Sequence, residues 1–138
     1  MNKLPLFSPV ILRIGISLVF LWFGISQLSD PSSWIGYVPD FITQMSHLGV
    51  TTIVLINGAF EIIFGSMLLC GFYTRFAALL LAVHMLDITY TVGFDAIGVR
   101  DFAISIATIA IFLNGMDWFS LDRWNKEAPA RETLQDLN

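Results

Sequence analysis

Cysteine is almost absent from this chain, and charge is scarce. Cys70 is the single cysteine among 138 residues, so one copy can form no disulfide, no CxxC redox pair and no thiolate cage for a metal. Charged residues are 13% of the composition, about half the roughly 25% of an ordinary soluble domain. The net charge of −4 comes with no basic stripe, which excludes a nucleic-acid partner and a polybasic grip on anionic lipid. His47 and His84 are the only histidines; His47 falls in the outer loop, which speaks against haem ligation by the two, and the scattered carboxylates lack the spacing of a zinc or di-iron site. No GxSxG, P-loop or HExxH occurs, so there is no independent catalytic motif.

What the chain has in abundance is apolar length. Hydrophobic residues reach 56%, gathered into stretches at about 10–28, 51–70, 76–92 and 100–119. Each is close to the roughly 20 residues that cross a bilayer as a helix. The first outruns a signal-peptide core and ends in Gln27-Leu28-Ser29-Asp30-Pro31 without a small-x-small cleavage site, so it reads as a mature helix. The expected fold is an all-α membrane protein: a four-transmembrane-helix bundle over residues 1–122 and a polar tail over 123–138. Within the one long connection, Phe41, Met45 and Leu48 share a helical face, predicting a short interfacial helix over Pro39–Gly49, with Trp34 and Tyr37 as belt anchors; a plain loop is the alternative. Gly71 is placed to cap the second span, and the short Gly71–Arg75 link makes spans two and three antiparallel neighbours. Asp95 and Gly98 mark the turn before span four. Lys3, Arg75, Arg123, Lys126 and Arg131 fall on one side, and Asp30, Asp40 and Asp95 with only Arg100 on the other. Positive residues stay inside, which puts both termini in the cytoplasm.

Each span carries one polar stripe. Arg13, Ser17, Phe20, Gly24 and Gln27 step by four and three along span one, and Asn57, Glu61 and Gly65 step by four along span two. Span three offers His84, Asp87 and Thr91, and span four Asp101, Ser105 and Thr108. The small and hydroxyl residues, Gly24 and Gly65 among them, suit close helix packing. The ionisable ones do not: a charge at mid-bilayer costs at least about 2.5–3.5 kcal/mol, so they must face one another or a wet cavity. An intramembrane polar site of Arg13, Glu61, His84, Asp87, Asp101, Asn57 and Gln27 follows. Within it Arg13 is expected to pair with Glu61, the alternative being an arginine that snorkels to the interface. Asp87, one turn from His84, is placed to fix the imidazole tautomer unless that histidine is a plain core residue. Asp101 is either part of the site or an acid favoured by its helix dipole.

The spans "RIGISLVFLWFGISQL" and "NGAFEIIFGSMLLCGFYTR" and the closing "GMDWFSLD" together resemble the DoxX family of small four-helix membrane proteins, over Ile11 to Asp122. The resemblance implies a bundle in the inner membrane and a link to redox chemistry, since relatives include the quinone-reducing subunit of a thiosulfate oxidoreductase. Arg13 and Glu61 carry over best by motif, followed by Gly24 and Arg75. Two positions depart from the pattern: Gln27 stands where Lys is common, and Gly115-Met116-Asp117 replaces a Gly-Pro-Gly-like turn. The leading expectation is an accessory or quinone-linked subunit of a membrane redox or respiratory complex, with lipid and other membrane or redox subunits as partners, or further copies of itself in a homo-oligomer. A non-catalytic scaffold for a larger complex is the second reading, and a small-solute or proton pathway the third.

Overall fold

Each long helix stops where the sequence supplies a stop. A computed structural model describes residues 4–93 and 95–127, arranged as α1 (Leu4–Ser29), a 3-10 turn (Pro31–Tyr37), α2 (Asp40–Ser46), α3 (Val50–Cys70), α4 (Thr74–Val92) and α5 (Ala96–Asn114). Helix α3 ends at Gly71, whose φ of 67° is open to glycine without a Cβ penalty. There the Gly71 amide bonds the Leu68 carbonyl and the Phe72 amide bonds that of Met67, a Schellman closure. Helix α5 starts at Asp95, whose Oδ1 accepts from the amides of Ile97 at 2.9 Å and Gly98 at 2.8 Å, a side-chain N-cap. It therefore begins before the predicted residue 100 and ends at Asn114 rather than 119, with Gly115 at φ 73°. Residues 121–127 are helical again. The rest of the predicted polar tail, with Arg131, lies outside the described residues, as does Lys3.

Helices α1, α3, α4 and α5 are each long and apolar enough to cross a membrane. They alternate in direction, so the start of α1, the Gly71 turn and the end of α5 share one end of the bundle, here the terminal end. The 3-10 turn, α2 and the start of α5 share the other, the loop end. The described residues contain no strand, and the fold is the four-helix membrane bundle that the hydropathy predicts. A short helix does lie between the first two spans, but Phe41 and Met45 on it are exposed. The 3-10 turn before it is not foreseen by the residue pattern.

The helices pack mainly as two pairs, α1 with α3 and α4 with α5. In the first pair, a Cβ added at Gly24 would sit 2.7 Å from the Gly58 carbonyl oxygen, so both residues set how closely the backbones approach. Gly65 serves similarly beneath Phe20, whose Cβ would lie 3.3 Å away. In the second pair, Ala77, Ala78 and Ala82 are buried on α4, and Ser105 and Thr108 on α5. Those hydroxyls bond back to the carbonyls of Asp101 at 2.9 Å and Ile104 at 2.7 Å, which satisfies them within their own helix. Phe20, Leu68, Leu81, Met85 and Ile111 form a dry core between the pairs.

At the terminal end the pairs are locked by charge. Arg13 donates to both carboxylate oxygens of Asp117, Nε at 2.6 Å and Nη2 at 3.2 Å. It also donates to the carbonyls of Leu68 at 2.9 Å, Leu69, and Phe119 at 3.4 Å. The expected Arg13–Glu61 pair is thereby corrected. The last turn of α3, with its outward-pointing carbonyls and negative dipole end, lies level with Arg13, whereas Glu61 is further along α3 by about 10 Å at roughly 1.5 Å per residue. Beside this lock, Asp122 accepts from the amides of Tyr73 at 2.8 Å and Thr74 at 2.7 Å, tying the chain after α5 to the α3–α4 turn.

Asp117→Asn leaves a buried guanidinium without its counter-charge, so unfolding by SDS titration is expected to show a loss of about 3–5 kcal/mol. A loss below about 1 kcal/mol, the range of an exposed pair, would mean that the lock does not hold the ends together.

Candidate functional site

At the loop end the two helix pairs part, and a cavity of about 330 Å³ lies between them. Its floor is set by the step of four on α3, which stacks Asn57 and Glu61 on the face turned to the interior. Glu61 is 1% exposed, and a buried carboxylate is costly without donors. Two amides answer it. Gln27 Nε2 on α1 donates to Glu61 Oε2 at 2.9 Å, and Asn57 Nδ2 donates to Gln27 Oε1 at 2.8 Å and to Glu61 Oε1 at 3.4 Å. In this network both side-chain amide nitrogens donate to oxygens, which fixes the orientation of the two amides. His84 completes the floor from α4. Its Nε2 is 3.5 Å from Glu61 Oε1 yet is the one buried side-chain polar atom without a hydrogen-bond partner among the described residues. Its ring rests on Phe60, centroids 4.7 Å apart.

The roof comes from the 3-10 turn. Trp34 is not the outward belt anchor that the sequence suggests: its indole N–H donates to Ser26 Oγ at 3.1 Å, and its ring meets Phe23 edge-on at 5.7 Å. Tyr37, half exposed, follows at 5.9 Å from Trp34. A turn preceded by Asp30 holds them there. The Ser32 and Ser33 hydroxyls donate to that carboxylate and keep its pKa below the usual aspartate value. On the α5 side, Arg100 pairs with Asp101 at 2.8 Å and lies over the Phe23 ring at 5.0 Å, a cation–π contact.

Six of the seven sequence-derived site residues line this cavity: Gln27, Asn57, Glu61, His84, Asp87 and Asp101. Arg13 does not, being held at the terminal end. Asp87 lines the cavity but is exposed, and no hydrogen bond joins it to His84; the imidazole leans toward Glu61 instead. The reason is the face that α4 buries, the small residues Ala77, Ala78 and Ala82 that let α5 approach. That choice turns His84 to the edge of the interior and Asp87 beyond it. Sequence reasoning missed Phe23, Trp34 and Arg100 as cavity residues and Asp117 and Asp122 as locks. For Asp117 a signal existed, an acid in the segment flanking the last span, opposite a lone buried arginine. Among the described residues no three His, Cys, Asp or Glu side chains converge as a metal site.

Replacing Gln27 by Leu strands both Glu61 Oε2 and Asn57, and is expected to cost about 1–3 kcal/mol of stability. Asn57→Leu costs less, and the double variant costs clearly less than the two losses added together, because both act through one network. Strict additivity in a double-mutant cycle would show that the amides act separately.

No curated protein and no solved structure matches the chain. The DoxX family model does match, over residues 8–93, from the first turns of α1 past the end of α4. That span holds Arg13, Gln27, Asn57, Glu61, His84 and Asp87 but neither Asp101 nor Asp117. With more than half of its length matched, and with four apolar helices in a bundle, the chain belongs to the DoxX family of membrane proteins.

Proposed function

We propose that this protein is a binding subunit of a membrane redox assembly, holding a flat ring ligand of the quinone type in the loop-end cavity. The observation that carries the reading is the shape of the cavity: apolar walls, a few convergent polar groups and a blind floor. A volume near 330 Å³ lies in the roughly 300–1,000 Å³ range of small-molecule sites. The rings of Phe23, Trp34 and Tyr37 offer faces and edges to a planar guest. The unpartnered Nε2 of His84 offers it a hydrogen bond, so the residues present fit such a group. A quinone, when bound, supplies electron and proton carrying capacity; the chain's own residues bind and orient it. The sole cysteine, Cys70, stands at the opposite end, and we assign the supply of electrons to a partner subunit.

Below Glu61 and His84 the interior is closed by Phe20, Leu81 and Met85 and then by the Arg13–Asp117 lock. This favours a binding site over a solute or proton route through one copy. Arg13 itself serves the scaffold. The terminal end carries Arg75, Arg123 and Lys126, so we place it in the cytoplasm of an inner-membrane protein, with the cavity opening outward. Exposed rings such as Trp22, Phe76 and Tyr90 face lipid or the partner subunits, or a second copy.

Protein in nanodiscs is expected to bind decylubiquinone saturably in its quinone or its quinol form, with quenching of tryptophan fluorescence that falls substantially in Trp34→Phe. Non-saturable partitioning of both forms, equal to that of empty nanodiscs, would defeat the reading. For orientation, a membrane-impermeant maleimide should leave Cys70 unlabelled in intact cells and label it once they are opened. Labelling of intact cells would invert the topology.

A further inference from the structure

The anomaly in the cavity is a gap between two groups that nearly meet. His84 Nε2 and Glu61 Oε1 stand 3.5 Å apart at the floor, and Nε2 has no hydrogen-bond partner among the described residues. The other partners of Glu61 are both donors, Gln27 Nε2 and Asn57 Nδ2, so the network presents Glu61 as an acceptor. Arg100 and Asp101, the other charged pair on the lining, are joined to each other, and Asp87 is exposed on the α4 side. Two lone pairs facing each other at 3.5 Å would repel, so His84 presents its Nε2–H on this side, and a guest atom beside the pair accepts a hydrogen bond from His84 and donates one to Glu61.

We infer that His84 and Glu61 form a donor–acceptor notch for a ligand hydroxyl, and that the cavity is selective for a phenol or hydroquinone over the carbonyl or ether of the same ring. His84 Nε2 and Glu61 Oε1 are too close, at 3.5 Å, to take an oxygen between them, and Nε2 is sealed from solvent; an oxygen about 2.8 Å from both sits beside the pair, on the cavity side, once the imidazole turns to admit it. A hydroxyl there receives the His84 N–H and gives its own hydrogen to the carboxylate. A carbonyl oxygen has no hydrogen to give, and it would set its lone pairs against those of Glu61. A site built around a hydroxyl rejects the analogue lacking it because its own buried groups are then left unpaired. Phe60 lies against the imidazole and limits how far the His84 ring turns as the notch opens. This rests on the reading of the cavity as a ring-binding site and adds which form of the ring it holds.

The test uses 2-naphthol and its methyl ether, 2-methoxynaphthalene, which share a ring system and differ in the hydroxyl hydrogen. Equilibrium dialysis against the protein in nanodiscs, corrected for empty nanodiscs, is expected to show naphthol bound at least about ten-fold more tightly. Glu61→Gln and His84→Leu should each bring that ratio down to about two- to three-fold, while His84→Gln, which keeps an N–H donor, retains part of it. Size-exclusion profile and helix content report whether each variant is folded, and the wild-type ratio stands as a test even where one is not. Two probes bound equally by the wild type, or a ratio unmoved in folded variants, would overturn the notch and leave the cavity reading intact. Failure of both probes to bind would remove the notch and count against that reading as well.

Discussion

A guanidinium taken out of water has five N–H bonds to satisfy, and Arg13 satisfies all five. Two go to the Asp117 carboxylate and three to carbonyls at the end of α3 and in the return after α5. Such saturation is what makes a cation at 1% exposure tolerable in an apolar bundle. It also fixes the relative height of three segments of chain that no turn connects directly. With the terminal end pinned, the helix pairs are free to part at the loop end, and the cavity exists because they do.

The two ends thus divide the work. One holds a charge with its full set of partners, next to a dry core. The other holds a carboxylate supported by two amides, a histidine left short of a partner, and an aromatic roof. Buried polar groups are ordinarily matched within the fold, and the mismatch at His84 is confined to the wall of a cavity. That confinement is why the cavity, and not the arginine, is read as the place where a ligand is met.

Much of this was legible in the residues. The 4-3-4-3 spacing from Arg13 to Gln27 marks a face that is wholly buried, and the step from Asn57 to Glu61 marks the cavity floor. These stripes are readable because polar and small residues contrast with a greasy background. On α4 the contrast fails: alanine is both small and apolar, so the true packing face of Ala77, Ala78 and Ala82 is hidden, and the visible pattern of His84 and Asp87 names its edge. The partner of Arg13 is hidden for a different reason. Asp117 sits in an irregular return where periodicity carries no information, so the residue pattern points to a helical acid, Glu61, instead. Trp34 likewise has an amphipathic ring that suits a bilayer interface, and only the fold of the 3-10 turn directs it inward.

The separation of Arg13 and Asp117 by 104 positions has a bearing on how the molecule is made. The arginine enters the membrane with the first helix, long before its counter-ion has been synthesised. Until then the carbonyls of Leu68 and Leu69 are the shelter that becomes available soonest, so α1 and α3 can associate as an early hairpin that keeps the charge from hydrocarbon. The aspartate is made much later and completes the set of partners around the charge.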